Sequence, residues 1–385
     1  MPARAAVATP APPPAHLRGL ARRARPCFDD PSFDDIGYVN SPSASASPAS
    51  LDLDAWRERA LGFEREIARA VVGQSAALRL LTIAVFARGH VLLEGDVGVG
   101  KTTLLQAAAR AIGGDYGRIE GTIDLMPADL IYHTSLDEHG RPRVEPGPVL
   151  RHGERLAVFF FNEINRARPQ VHSLLLRLMA ERSLSAFNRE YAFPYLQVFA
   201  DRNQVEREET FELPAAARDR FFMEIAIATP ADPDVRRALI FDPRYHDVAA
   251  LVEAVTPAVL DPTQLDAVAR AIQRHVHASD RLQHYVEALW TAVRDPARAG
   301  IRIDDVDTER LIVGGASPRG MAYLVRAARV RAWLEGRDML VPEDLRAVFF
   351  ETVAHRIFLA PVYEARRATI VPALCRAVFE TVPVP

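Results

Sequence analysis

His90-Val-Leu-Leu-Glu94 runs directly into Gly95-Asp-Val-Gly-Val-Gly-Lys-Thr102, and Leu104, Leu105, Ala108 and Ile112 follow at helical spacing until Gly113-Gly114. A short apolar strand, a glycine-rich turn and a helix opening on Lys-Thr fit the phosphate-binding pattern G-x-x-x-x-G-K-[ST] in its required setting. Glycines let backbone N–H groups point inward around phosphate oxygens, at the positive end of a helix. The binding set is therefore Gly95, Asp96, Val97, Gly98, Val99, Gly100, Lys101, Thr102 and Thr103. Lys101 is assigned to the β- and γ-phosphates and the Thr102 hydroxyl to Mg²⁺. A glycine turn serving only to start a helix would not account for Lys101-Thr102.

Kinases, GTPases, transporters and helicases share that loop, so the rest of the chain decides among them. Leu156-Ala-Val-Phe-Phe-Phe161 runs straight into Asn162-Glu163. An apolar strand ending in an acidic position next to such a loop places Glu163 to polarise a water for attack on the γ-phosphate. The residue before it is normally an Asp that helps hold Mg²⁺. Asn162 can contact a metal-bound water but brings no charge, which argues for slow hydrolysis.

Working outward, helices are expected from Leu53 to Val71 and on to about Ala87, broken at Val72-Gly73-Gln74. Further strands are expected at Arg118–Glu120, Leu156–Phe161, Leu196–Ala200 and Phe222–Ile227, with an amphipathic helix carrying Val171, Leu174, Leu175, Leu178 and Met179 between two of them. Short apolar strands alternating with helices indicate a buried, mostly parallel sheet. Two hairpins interrupt the pattern: Leu130–Val144, turning at Asp137–Gly140, and Ser183–Phe193, turning at Asn188–Glu190. From about Ala231 the chain reads as helical, with Ser317-Pro318 opening one helix and Pro342 another that runs towards Phe358. The expected plan is an α/β fold. An Ala/Pro/Ser-rich flexible tail (1–50) precedes a nucleotide-binding core with a mostly parallel five-stranded sheet (51–230) and a helical lid (231–385).

Composition excludes several classes. Lys and Arg total 47 against 50 Asp and Glu, a net charge of −3. This is no basic footprint for nucleic acid. Two cysteines at opposite ends, Cys27 and Cys375, leave no disulfide framework and fit a reducing cytoplasm. His275 and His277, two apart, are expected on a helix surface. No apolar run is long enough to span a bilayer.

Asn162-Glu-Ile-Asn-Arg-Ala167 resembles the D-E-I-N-R-A segment of MoxR-type AAA+ ATPases. Gly121-Thr-Ile-Asp-Leu-Met-Pro-Ala-Asp129, Gly147-Pro-Val-Leu150, Leu213-Pro214, Asp219-Arg-Phe221 and Gly315-Ala-Ser-Pro-Arg319 resemble further segments of that family in the same order. The likeness spans about residues 60 to 358. It implies that Asn203 is the sensor that orients the attacking water, although Ala200-Asp-Arg-Asn-Gln204 departs from the family's A-T-Q-N-P. It implies that Arg220 is an arginine finger reaching a neighbouring subunit's ATP, and Arg319 a lid arginine sensing the γ-phosphate. Val72 and Gln74 would border the adenine, favouring ATP over GTP. A trans finger implies a homo-oligomeric ring, with a hexamer plausible. The family suggests chaperone-like maturation of a protein client or metalloenzyme, often with a von Willebrand A domain partner. Two alternatives stand beside it: a chelatase-like metal-insertion ATPase, and a nucleotide-gated scaffold with little hydrolysis, for which Asn162 is the reason.

Overall fold

The computed structural model describes residues 51–203 and 210–385. The expected tail, with Cys27, and Gln204 lie outside the described residues. The described residues fall in one compact unit, Pro48–Pro385.

The order of elements is α1 (Leu53–Ala70), α2 (Ser75–Phe86), β1 (Val91–Gly95), α3 (Lys101–Ile112), β2 (Asp115–Glu120), α4 (Pro127–Ile131), β3 (Tyr132–Leu136) and β4 (Pro142–Pro146). Next come β5 (Leu156–Asn162), α5 (Pro169–Glu181), β6 (Ser183–Ala186), β7 (Arg189–Ala192), β8 (Gln197–Asn203), α6 (Ala215–Arg218) and β9 (Met223–Ala226). After the sheet come α7 (Pro233–Phe241), α8 (Val248–Glu253), α9 (Pro262–His275), α10 (Asp280–Arg294), β10 (Ile312–Gly314), α11 (Pro318–Leu334), α12 (Pro342–Val353), β11 (Phe358–Leu359), α13 (Pro361–Glu364) and α14 (Arg367–Thr381).

Five strands form one sheet in the order β2-β5-β8-β1-β9, and every pairing in it is parallel. The strands alternate between two apolar layers. Phe160 and Phe199 pack with Leu104, Leu105 and Ala108 of α3, in a cluster that continues through α1 and α2 into the lid helices. Phe159, Phe161 and Ala200 face the opposite layer with Val171, Leu175 and Leu178 of α5. Burying each such Phe stabilises the fold by about 1.5–3 kcal/mol. Burial on both faces explains why β5 reads as an unbroken apolar run.

β8 extends past the expected Ala200 because the polar Asp201, Arg202 and Asn203 pair with Leu93, Glu94 and Gly95 of β1. The first hairpin starts later than expected. Leu130 belongs to α4, where Pro127 opens the helix and Asp129 accepts the Met126 N–H at 2.8 Å. The second hairpin turns at Phe187-Asn188, not Asn188–Glu190. Both residues have positive φ, 51° and 58°, and Ala186 pairs Arg189. That handedness matches the twist of adjoining strands. The Phe187 ring packs 5.3 Å from Tyr132 of the first hairpin.

Ser317 caps α11 as expected, accepting the Gly320 N–H at 3.1 Å with Pro318 in the first turn. Beyond Phe358 the chain adds α13 and α14, the latter packed on α10 and α12. His277 is not on a helix. α9 ends at His275, and the His277 backbone bonds Asp338 and Leu340 in an extended bridge.

Candidate functional site: a phosphate loop facing a glutamate

The loop between β1 and α3 holds Gly98 and Gly100 at φ +81° and +89°, and space around both is open. A side chain there would be strained and would fill the concavity. Gly100 is the N-cap of α3, and no side chain caps it. The first-turn N–H groups of a 12-residue helix therefore face this concavity, which suits an anion.

Lys101 is buried. Its Nζ donates to Gly95 O (2.8 Å), Asp96 O (2.8 Å) and Asn203 Oδ1 (2.7 Å). The Asn203 amide in turn donates to Glu163 Oε1 at 3.3 Å, and Arg166 Nη1 donates to Glu163 Oε2 at 2.9 Å. The phosphate-loop lysine, the residue ending β8 and the carboxylate after β5 thus form one hydrogen-bonded chain. Glu163 itself sits in the left-handed region, φ 52° and ψ 51°, which is uncommon for a non-glycine residue and concentrates at functional sites. Thr102 Oγ1 lies 3.5 Å from Asn162 Oδ1, at the edge of hydrogen-bond distance.

Two groups here escaped the sequence reading as site residues. Arg166 braces the Glu163 carboxylate. Asp201, only 2% exposed, accepts the Glu163 N–H at 2.6 Å. Burial pushes its carboxyl up to about 6, against the lowering effect of the Glu163 N–H and of Lys101. The available signal was the departure of Ala200-Asp-Arg-Asn-Gln204 from the family's A-T-Q-N-P. Its neighbour Arg202 faces the other way and pairs with Glu94 on the adjacent β1 (2.9 Å) and with Glu224 on β9 beyond it (3.1 Å).

Val72 and Gln74 line a cleft of about 280 Å³ beside Gly98, Val99, Gly100 and Thr103. The Gln74 side chain donates to Ala228 O at 2.6 Å, fixing one wall. Tyr245 and Leu251 close the other side, contributed by α8 and the turn before it, which carry no sequence motif. The cleft suits a flat apolar base next to the phosphate loop.

Arg220 and Arg319 sit elsewhere. Both line a second cavity with Arg88, Arg182 and Arg326, and among the described residues no Asp or Glu lines it. Arg319 donates to Asp219 at 3.1 Å, and among the described residues the Arg220 Nε has no hydrogen-bond partner. Asp219 also accepts from Ser317 (3.0 Å) and from the buried Arg356 (3.1 Å), tying the segment after α6 to the lid.

A profile of the ATPase family associated with various cellular activities (AAA) matches residues 90–223, and one of the AAA lid domain matches residues 306–374. The protein MoxR of Methylorubrum extorquens is 68% identical over 338 residues, covering 88% of this chain and 98% of that protein. The chain belongs to the MoxR family of AAA+ ATPases. Protein MoxR of Paracoccus denitrificans is 60% identical over 87% of this chain and 98% of its own length. Chaperone MoxR1 of Mycobacterium tuberculosis is 33% identical over 91% and 89%. A crystal structure of a Cytophaga hutchinsonii protein assigned as an ATPase superposes with a TM-score of 0.70 at 28% identity, covering 86% of this chain and 99% of that one. The lid match carries the likeness to AAA lid domains past Phe358, where the sequence motifs stopped. Among the described residues no helix is long and apolar enough to cross a membrane.

The oxygen donors fit Mg²⁺ as such loops hold it. Thr102 and Asn162 offer hard, neutral oxygens side by side, and no group of three or more His, Cys, Asp or Glu able to cage a metal exists among the described residues. Such an ion takes most of its remaining ligands from phosphates and water.

Proposed function

We infer that this MoxR-family chain hydrolyses ATP with Mg²⁺ in a homo-oligomeric ring and uses the cycle to remodel or mature a protein partner. The observation that carries the hydrolytic part is the chain Lys101–Asn203–Glu163, which joins phosphate binding to the candidate base. In this scheme the α3 N-terminus and Lys101 hold the phosphates. Glu163 accepts a proton from water as the water oxygen attacks the γ-phosphorus and the bond to the ADP oxygen breaks. Asn203 positions that water. Mg²⁺, held by Thr102 and Asn162, would neutralise charge on the phosphates.

The arginine-lined cavity supports placing Arg220 and Arg319 at an anion. Arg220 would serve the adjoining subunit's ATP, a role worth ~10³–10⁵ in rate. Residues 51–230 act as the nucleotide core and 231–385 as the lid whose movement reports nucleotide state. The protein client, a von Willebrand A domain partner and a cytoplasmic setting are part of this proposal. The chaperone name of the Mycobacterium tuberculosis relative supports the client part.

Hydrolysis of ATP by the full chain with Mg²⁺, lost in Glu163→Gln while ATP binding stays within about threefold, is the expected result. Turnover that survives Glu163→Gln overturns the assignment of the base. The uncharged Asn162 favours one second reading, a nucleotide-held scaffold. Binding without turnover in the natural chain, with turnover gained in Asn162→Asp, would establish it.

A further inference from the structure

β5 and β8 run parallel with Phe161 opposite Ala200, so the next pair in register is Asn162 and Asp201. Alternation places both side chains on the face shared by Phe160, Phe199 and α3. This is the face that carries Thr102 and Lys101. P-loop ATPases ordinarily set a carboxylate at the end of the strand corresponding to β5, where it helps hold Mg²⁺. In this chain that position is an amide, and the adjoining position on the next strand is a buried carboxylate. Its Oδ1 accepts the Glu163 backbone N–H at 2.6 Å, and Lys101 lies close enough to act on its charge. Burying a carboxylate here costs stability unless it is paired, so an apolar or neutral residue would suit folding better.

We propose that Asp201 supplies, from the neighbouring strand, the negative charge that Asn162 lacks at the Mg²⁺ site, and that the same carboxylate positions Glu163. The carboxylate stands on one strand and the amide at the end of the adjacent one. Asn162 stays as the neutral oxygen beside Thr102, while Asp201 would supply charge rather than a ligand. Asp201 also holds the backbone of Glu163 in its left-handed conformation. It is a positioning residue for Glu163 and an electrostatic one for the metal. Both roles rest on the proposed hydrolytic reading of this site.

The test uses Mn²⁺ in place of Mg²⁺ and ADP as nucleotide, so that no turnover is needed. The full-length natural chain, Asp201→Asn, Asn162→Asp and the double variant Asn162→Asp/Asp201→Asn are compared. Free Mn²⁺ is read by electron paramagnetic resonance, and ADP affinity is measured separately in EDTA. Asp201→Asn is expected to weaken Mn²⁺ binding by about tenfold, as removal of one nearby unit charge should, with ADP affinity in EDTA unchanged. Moving the carboxylate back in the double variant is expected to restore Mn²⁺ affinity to within about threefold of the natural chain. A merely structural role for Asp201 would not be rescued that way. Mn²⁺ affinity indifferent to Asp201→Asn, or a double variant no better than the single, overturns the assignment while leaving the nucleotide site standing. A natural chain that binds no ADP overturns both.

Discussion

Gly121 shows how tightly Glu163 is seated. A Cβ on this residue would lie 2.1 Å from Glu163 O, and its N–H donates to Asn162 O at 2.7 Å. Gly121→Ala must therefore push the β5 end away from Lys101 and Asn203. The expected cost is about 1–3 kcal/mol in denaturant unfolding, together with a loss of turnover larger than the loss of ATP affinity. Equal losses in both would mean that Gly121 supports the loop rather than the base. At this scale the sequence was informative wherever chemistry and spacing coincide. Lys101, Thr102, Glu163 and Asn203 were nameable in advance, and the structure joins Lys101, Asn203 and Glu163. Asp201 was visible only as a departure from a motif, because its partner is a backbone N–H 38 residues away in the chain. Arg220 and Arg319 were named in advance too, but the cationic cavity they share also takes Arg88, Arg182 and Arg326, which carry no motif.

Among the elements, β1 and its flanks bury a titratable group with a consequence for pH. His90 lies at the start of this segment. Its Nδ1 accepts the Val198 N–H at 2.9 Å, so Nε2 carries the proton and faces Met179 O at 3.1 Å. Burial, with Arg182 adding to it, holds His90 down at about 3, and burial also holds His355 well below the ordinary histidine range. Both stay neutral in the fold while the unfolded chain takes up protons below about pH 6.5. Their contribution to stability is present above that pH and is lost as pH falls towards the folded values. Asp201 works in the opposite sense between about pH 6 and 4, since its folded value is raised. One net proton taken up on unfolding corresponds to a fall of about 1.4 kcal/mol per pH unit. Denaturant titrations from pH 7 to 4.5 should show roughly that slope, and a flat profile would contradict it. Element boundaries were legible where periodicity ended at Gly or Pro. They failed at Phe187-Asn188, because a turn built on a left-handed Phe against Tyr132 depends on a tertiary contact. They failed again after Phe358, where α14 carries Pro372 within it and gives no clean start signal.

The whole molecule couples nucleotide core and lid through one apolar cluster that runs from α3 to α14, and through Asp219. Asp219 gathers Ser317, Arg319 and the Arg356 guanidinium, which is 1% exposed. Asp219→Ala leaves Arg356 buried without its carboxylate. About 3 kcal/mol or more of stability should be lost, and the lid should unfold at lower denaturant than the sheet. A single unchanged transition would show that Asp219 is not the link. The parallel sheet and its two faces were readable from the sequence because apolar runs and helical stripes alternate along it. The coupling was not, since Asp219 and Arg356 lie 137 residues apart with no pattern between them.

In the proposed ring the catalytic site is completed between subunits, with Glu163 from one and Arg220 from the next. Mixing Glu163→Gln and Arg220→Ala chains and measuring Mg²⁺-dependent ATP turnover tests this arrangement. Each variant alone is expected to be nearly inactive. The mixture should regain a clear fraction of natural turnover, because an Arg220→Ala subunit keeps its Glu163 and receives Arg220 from its neighbour. A mixture as inactive as its parts, or an Arg220→Ala chain as active as the natural one, would contradict the account.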